Sequence, residues 1–224
     1  MSASVRWSIV ALVAVVGVVV ALLSTMGGDD DSGQTAGSTD PAAAPPVGAP
    51  MEDEPHTVVD PDTRAAAELP QCRDSAEPAT TGGPVSGLMV RCMDDGSTTT
   101  LGKVQSGKPM MVNMWAYWCE PCRRELPAIQ EAQEELGDSV QVVISHTDPS
   151  ETKGLDTLQA LGIEDMISVS DHDEELPGIL GAPPVLPLTV FVHPDGTVEH
   201  VLIEPMYSEQ DVLDAVSEHL GVSP

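Results

Sequence analysis

Aromatic and basic residues are scarce in this sequence. Phe, Trp and Tyr make up 3% of its 224 residues, and 9 Lys and Arg stand against 36 Asp and Glu, which gives a formal net charge of −27. A surface this acidic repels nucleic acid and anionic lipid head groups, which argues against both as partners. The charge is spread along the chain and is otherwise typical of a soluble surface outside the cell.

The sequence also lacks the ligand pattern of a structural zinc site. Such a site needs four ligands, usually as two closely spaced pairs of Cys or His. Cys119 and Cys122 form one such pair, but Cys72 and Cys92 are far apart in the sequence and form no second one. The histidines are scattered, with no two spaced as neighbours on a helix face. We therefore expect no metal and no cofactor.

The longest apolar run lies at the N-terminus. No residue from Trp7 to Gly28 is charged, and a helix of that length can cross a hydrocarbon core of roughly 30 Å. Arg6 precedes the run and aspartates follow it, which predicts a cytoplasmic N-terminus and an external C-terminal domain. We expect residues 1–28 to be a single-pass signal-anchor in the cell membrane. The alternative is a cleaved signal peptide, whose apolar region is usually shorter, at about 7–15 residues.

Residues 29–68 differ in composition from the rest of the chain. They are mainly Gly, Ser, Pro, Ala and acidic residues, and such a segment cannot bury enough apolar surface to offset the entropy of ordering. We expect a disordered, self-repelling linker that holds a domain away from the membrane. Residues 69–224 remain, and their number, about 155, is normal for one domain.

Strand patterns and helix patterns alternate from Leu88 to the end of the chain. Two hairpins are indicated by the turns DDGS and HPDG, and two continuous apolar runs are typical of strands buried on both faces. The expected strands are 88–93, 98–101, 109–115, 140–145, 187–192 and 197–203. The expected helices are 120–136, 150–162 (with Ser150 as N-cap) and 208–221. This alternation predicts an α/β sheet with crossover connections.

Cys119 and Cys122 stand where a buried strand gives way to a helix. The first turn of a helix offers unpaired N–H groups and the positive end of the macrodipole, and both stabilise a thiolate at Cys119. Cys122 lies one turn further along, where it can attack a mixed disulfide formed at Cys119. Pro121 in the first turn costs no helical hydrogen bond. This placement favours a redox pair over half of a metal site.

Two stretches resemble a known family. MVNMWAYWCEPCRRELPAIQ is similar to the active-site segment of the exported TlpA/ResA-type thiol–disulfide oxidoreductases, and VLPLTVFVHPDG resembles their cis-proline segment. The similarity covers roughly residues 85–222. It implies a thioredoxin-like fold, in which a central mixed β-sheet is flanked by helices, here with an N-terminal β-hairpin extension.

The resemblance assigns catalytic roles to the redox pair and its surroundings. It makes Cys119 and Cys122 catalytic and places Glu125, in Cys-x-x-Cys-x-x-Glu-x-Pro, beside them as a base. The residues expected to tune the pair are Glu120, Pro121 and Asn113. Asn113 occupies the position where thioredoxins usually have a buried aspartate. Glu125 also has a structural interpretation, because a first-turn glutamate favours the helix dipole.

Substrate contacts follow from the same resemblance. Pro187 would carry a cis peptide bond and face the disulfide, and Leu186 before it would offer backbone hydrogen bonds to an extended substrate. Pro183 and Pro184 are alternatives for the cis bond, but only Pro187 directly precedes a strand. Trp118, together with Trp115, would form an aromatic floor for the bound segment.

Cys72 and Cys92 lie outside the redox motif. In an oxidising compartment we expect them to form a structural disulfide that closes a loop. The alternative is a second redox pair that relays electrons to Cys119.

The sequence predicts an extracytoplasmic thiol–disulfide oxidoreductase. The resemblance favours a reductase, with apocytochrome c as a possible substrate and a membrane thiol carrier as electron donor. A thiol oxidase or isomerase for exported proteins would use the same residues. The charges do not decide the direction, because Glu120 disfavours a thiolate whereas Arg123 and Arg124 favour one. A copper-binding carrier on the same fold is the alternative from another class.

Overall fold

A seven-stranded mixed sheet organises the part of the chain that the structure describes. The structure is a computed structural model and describes residues 59–72, 79–171 and 174–223. The strands are β1 (Met89–Cys92), β2 (Thr98–Thr100), β3 (Met110–Trp115), β4 (Gln141–His146), β5 (Ile167–Ser170), β6 (Leu188–Val192) and β7 (Val198–Leu202). Their order in the sheet is β2-β1-β5-β4-β3-β6-β7. Strand β4 is parallel to both β3 and β5, and the other pairs are antiparallel.

Six helices accompany the sheet in the described ranges. They are α1 (Pro61–Ala66), α2 (Leu101–Gln105), α3 (Glu120–Leu136), α4 (Glu151–Leu161), α5 (Glu175–Ile179) and α6 (Glu209–Leu220), and a short 3-10 turn (Gly137–Ser139) follows α3. The architecture confirms the thioredoxin-like fold, and the hairpin of β1 and β2 is the expected N-terminal extension. No helix among the described residues is long and apolar enough to span a membrane. The expected anchor, residues 1–28, lies outside them.

Strand β3 is buried along its whole length. Its alternating side chains enter two apolar clusters, one containing Met111 and Trp115 and the other containing Met110, Val112 and Met114. A strand buried on both faces needs a continuous apolar run. The sequence supplies that run in MMVNMW, with the single amide of Asn113 as its exception.

Local capping determines most of the helix ends. Helix α3 has the expected bounds: Cys119 is its N-cap and Gly137 its C-cap. Helix α6 begins with a capping box between Ser208 and Asp211 and ends at Gly221 in the left-handed conformation. Ser150 stands at the N-cap of α4, but its side chain makes no capping hydrogen bond.

Five elements differ from the sequence prediction by more than a small shift of their ends. The expected strand 98–101 ends at Thr100, whose side chain accepts a hydrogen bond from the Lys103 N–H (3.4 Å) and so starts helix α2. The elements α1, α2, β5 and α5 were not expected. Strand β5 has only four residues, two of them serines, and it forms because β1 and β4 pair with it on either side.

Residues 59–68 belong to the folded domain, although the sequence assigned them to the linker. The Arg64 guanidinium donates hydrogen bonds to the Glu151 carboxylate (2.6 Å) and to the Met93 carbonyl (2.9 Å), and Val59 and Ala67 are buried in the same cluster as Trp115. These contacts are long-range, so local composition does not reveal them. The remainder of the expected linker, 29–58, lies outside the described residues.

The ion pair of Arg64 and Glu151 yields a test of this attachment. Both side chains are nearly buried, at 10% and 3% exposure, and breaking a buried pair leaves a desolvated charge. We expect Arg64→Met to lower the free energy of unfolding by about 3 kcal/mol in urea titrations. The control is Lys108→Met, since Lys108 pairs with the fully exposed Asp138 and its loss should cost less than about 1 kcal/mol. Equal losses in the two variants would contradict the buried attachment.

Candidate active site

The redox pair occupies the turn between β3 and α3. Cys119 and Cys122 are joined in a disulfide, with their Cα atoms 5.3 Å apart. Cys119 is the helix N-cap, and its sulfur accepts a hydrogen bond from the Cys122 N–H (3.4 Å). Cys119 retains 5% exposure whereas Cys122 has none. The outer sulfur is therefore the one that an external sulfur can reach, and the helix N-terminus is placed to stabilise a thiolate on it.

The Leu186–Pro187 peptide bond is cis, as expected, and neither Pro183 nor Pro184 follows a cis bond. Strand β6 starts one residue after Pro187 and runs antiparallel to β3, with Leu188 opposite Met114. Pro187 therefore lies beside the C-terminal end of β3, where that strand leads into the cysteine turn. Leu186 is partly buried against both apolar clusters.

The two tryptophans near the pair have different environments. Trp115 is fully buried, and its ring meets His146 edge-on at a centroid distance of 4.8 Å. Trp118 is 60% exposed and its indole N–H donates to the Asp148 carboxylate (2.9 Å). Of the two, only Trp118 is thus available to a bound segment, while Trp115 packs in the buried cluster that also contains Cys119 and Cys122.

Glu125 is a buried carboxylate three residues after Cys122. Residues at this spacing share one face of a helix. Its two oxygens accept hydrogen bonds from the Asn113 side-chain amide and from the Met206 backbone N–H (3.2 Å). Burial raises the pKa of Glu125 to about 7, and these two hydrogen bonds oppose the rise. A carboxylate with such a pKa exchanges a proton readily near neutral pH, which suits a base for the Cys122 thiol.

The charged residues of the first turn of α3 point to solvent. Glu120, Arg123 and Arg124 are exposed, and the Arg124 guanidinium lies 4.4 Å from the centroid of the Tyr207 ring. Pro121 occupies the first turn, where its missing N–H costs no helical hydrogen bond. Of the three residues expected to tune the pair, only Asn113 contacts another buried polar group.

Sequence reasoning missed Thr189, Met206 and Asp148. Thr189 accepts a hydrogen bond from the Asn113 amide (3.0 Å). It could have been noticed, because it is the one polar residue in the strand expected after Pro187, and a buried polar group needs a partner. Met206 and Asp148 contribute from loops whose positions depend on the whole fold.

The second disulfide joins Cys72 and Cys92, whose Cα atoms are 5.5 Å apart. Both residues are fully buried in the apolar cluster that contains Met110 and Met114. Cys119 and Cys122 belong to the other cluster, on the opposite face of the sheet. This separation favours the structural interpretation over an electron relay.

The described residues contain one cluster with the donor atoms for a metal. It consists of Cys72, Cys92 and Asp94. Its two sulfurs are bonded to each other, and a metal needs thiolate ligands. The oxidised site therefore does not fit a metal ion.

Comparisons with known proteins agree with this geometry. The family model described as Redoxin matches residues 65–217. The thiol-disulfide oxidoreductase ResA of Oceanobacillus iheyensis is 32% identical over 111 residues, which are 48% of this chain and 55% of ResA. The thioredoxin-like protein YneN of Bacillus subtilis is 49% identical over 37 residues, 16% of this chain and 22% of YneN. The chain thus spans about half or less of the length of these curated relatives.

Solved structures share the fold. DsbF of MTB superposes with a TM-score of 0.54 at 20% identity, covering 62% of this chain and 98% of DsbF. A secreted thiol-disulfide isomerase from Corynebacterium glutamicum has a TM-score of 0.54 at 23% identity, covering 62% of this chain and 86% of the isomerase. At these identities the likeness establishes the fold.

The raised pKa of Glu125 makes stability depend on pH. Between pH 4.5, its ordinary pKa, and pH 7 the folded protein keeps a proton on Glu125 that the unfolded chain has lost. Its contribution to stability is therefore complete below pH 4.5 and is lost as the pH rises through 7. We expect the wild type to lose about 3 kcal/mol relative to Glu125→Gln over this range, measured by urea unfolding of the oxidised protein. Parallel pH curves for the two proteins would refute the shift; Glu135→Gln, exposed on the same helix, is the control.

The position of the second disulfide yields another test. Replacing Cys72 and Cys92 together by Ala should lower the free energy of unfolding by about 3 kcal/mol, because the unfolded chain gains entropy. The reduction potential of the Cys119–Cys122 pair should stay the same, since the two pairs lie on opposite faces of the sheet. A change of more than about 30 mV, which corresponds to roughly 1.4 kcal/mol, would instead indicate a relay.

Proposed function

The chain belongs to the Redoxin family and is of the TlpA/ResA type, and from this premise we propose that it is a thiol–disulfide oxidoreductase acting through Cys119 and Cys122. The observation that carries the proposal is the arrangement of three groups on one helix. Cys119 caps the helix and keeps 5% exposure, Cys122 is fully buried, and the Glu125 carboxylate lies one turn further along the helix. These are a nucleophile, a resolving thiol and a base.

The first step is attack by the Cys119 thiolate on one sulfur of a substrate disulfide. The substrate S–S bond breaks, its other sulfur leaves as a thiolate, and a mixed disulfide forms with Cys119. The helix N-terminus and the Cys122 N–H stabilise the attacking thiolate. Trp118, which is exposed and precedes Cys119 in the chain, and the backbone before Pro187, at the end of β6 next to the cysteine turn, are proposed to bind an extended substrate segment.

The second step uses Cys122. Glu125 accepts the proton of the Cys122 thiol, and the resulting thiolate attacks the Cys119 sulfur. The mixed disulfide breaks, the substrate leaves with its second sulfur as a thiolate that takes up a proton, and the Cys119–Cys122 disulfide is formed. Two electrons have passed from the protein to the substrate. The same residues perform the reverse reaction.

We propose that the protein works as a reductase. The Glu-Pro dipeptide between the cysteines and the buried base support this direction, and both resemble features of the ResA-type proteins. A Cys-containing exported protein such as apocytochrome c is the proposed substrate, and a membrane thiol carrier is the proposed electron donor. The apolar run from Trp7 to Gly28 is the basis for placing the site outside the cytoplasm on a single-pass anchor. An oxidase or isomerase is the alternative.

The reduction potential of the Cys119–Cys122 pair, measured in the full chain with Cys72 and Cys92 intact, decides between a reductase and an oxidase. The protein is equilibrated with dithiothreitol or glutathione buffers, and the reduced fraction is counted from alkylated thiols. A potential near that of thioredoxin, about −270 mV, would support the reductase, whereas one near that of DsbA, about −120 mV, would make the protein an oxidant. Cys122→Ser should trap a mixed disulfide with a peptide substrate, and Cys119→Ser should not. If neither variant traps a mixed disulfide and the protein binds copper stoichiometrically instead, the result would favour a copper-binding carrier on the same fold.

A further inference from the structure

A buried polar network connects helix α3 to the strand that follows the cis-proline. Asn113, Glu125 and Thr189 are 0%, 0% and 2% exposed. The Nδ2 atom of Asn113 donates one hydrogen bond to Glu125 Oε1 and another to Thr189 Oγ1. Asn113 and Thr189 stand directly opposite each other in the pairing of β3 with β6. The amide of Asn113 is therefore the link between the carboxylate and the sheet.

The amide uses only half of its hydrogen-bonding capacity. Both N–H groups of Nδ2 have acceptors, but Oδ1 is buried and has no hydrogen-bond partner among the described residues. An unsatisfied buried acceptor costs free energy, so a position that keeps one calls for an explanation. The explanation must account for an asparagine rather than an apolar residue in a strand buried on both faces.

We propose that Asn113 is a positioning residue whose amide turns between two orientations, donating an N–H to ionised Glu125 and accepting the O–H of protonated Glu125. The proposal deepens the proposed function, because it rests on Glu125 as the base. It assigns Asn113 and Thr189 a part in the transfer of the proton from Cys122.

The hydrogen-bond inventory leads to this proposal. Ionised Glu125 accepts from two donors, the Asn113 amide and the Met206 N–H. When the carboxylate takes the proton of the Cys122 thiol, one of its oxygens becomes a donor. The Met206 N–H is only a donor and cannot turn, so the proton belongs on Oε1, the oxygen that faces Asn113. There it would meet an N–H unless the amide turns and presents Oδ1.

Thr189 makes both orientations possible. A hydroxyl group can accept from Nδ2 in one orientation and donate to Oδ1 in the other. Aspartate at position 113 would offer no N–H and would add a second buried negative charge beside Glu125. The groups that contact the carboxylate are the Asn113 amide from β3 and the Met206 N–H from the loop before α6, and Cys122 lies three residues earlier on the same helix. No ionised side chain among the described residues contributes to the environment of Glu125.

The test is a titration of Glu125 in the oxidised full chain, where neither Cys119 nor Cys122 can titrate. The ¹³C chemical shift of the Glu125 carboxyl carbon is followed with pH and is assigned by its loss in Glu125→Gln. In Asn113→Ala both forms lose a hydrogen bond, but the charge-assisted bond to the ionised carboxylate is the stronger of the two, so we expect the midpoint to rise by about one pH unit. In Thr189→Val, which is nearly isosteric, the amide loses the acceptor that holds it, so a smaller rise is expected. Thr189→Ser keeps the hydroxyl and should restore the wild-type midpoint.

Gln105 provides a matched control. Its amide is also fully buried, its Nε2 atom donates to the carbonyls of Lys108 and His193, and its Oε1 has no partner among the described residues. Gln105→Ala removes a buried amide of the same kind in the helix after β2, and we expect it to leave the Glu125 midpoint unchanged.

Two results would overturn the proposal. One is a Glu125 titration midpoint that is unchanged both in Thr189→Val and in any Asn113 variant that folds. The other is a shift of this midpoint in Gln105→Ala that is as large as the shift in Asn113→Ala. The proposed function fails differently. If the Glu125 midpoint moves as expected but the pH dependence of mixed-disulfide resolution does not follow it, Asn113 positions Glu125 and Glu125 is not the base.

Discussion

The complete burial of strand β3 is the constraint on which the site depends. Because both faces of the strand are covered by apolar clusters, its direction is fixed and its end delivers the cysteine turn to the edge of the sheet. The neighbouring strand β6 is antiparallel to it, so the cis-proline arrives at the same edge. The helix that carries the nucleophile and the base and the segment that carries the cis-proline come from distant parts of the chain, and both are assembled around this one strand.

Desolvation gives the site its chemistry. A glutamate on the surface of α3 would be ionised at neutral pH and would serve only the helix dipole. The same residue turned inward loses water on all sides, and its pKa rises to about 7 although two donors stabilise the ionised form. The cost of burying this group is therefore what makes it useful as a base. The hydrogen bond from Asn113 reduces that cost, and because Asn113 belongs to β3, the pKa of Glu125 depends on the position of this strand.

The two disulfides are the same kind of bond, but their surroundings make one structural and the other exchangeable. Cys72 and Cys92 are sealed within one apolar cluster, where no thiolate is favoured and no external sulfur can approach. Cys119 is a helix N-cap that keeps 5% exposure, and an N–H and the helix dipole favour a thiolate there. The sheet between them keeps the stable bond apart from the exchangeable one.

The sequence by itself determined the fold class, the redox pair and the bounds of α3 and α6, because these depend on local signals: the alternation of strand and helix patterns, a Cys-x-x-Cys spacing between a strand and a helix, and capping residues. The cis-proline was implied by the family resemblance of its segment. The tertiary structure alone decided that residues 59–68 join the domain, that β5 pairs between β1 and β4, and that Thr189 and Met206 complete the surroundings of Glu125. It also showed that the Glu125 side chain is buried, which favours its interpretation as a base over the interpretation that it only stabilises the helix dipole. These outcomes rest on contacts between residues far apart in the chain, and the local sequence does not show which residue is the partner in such a contact.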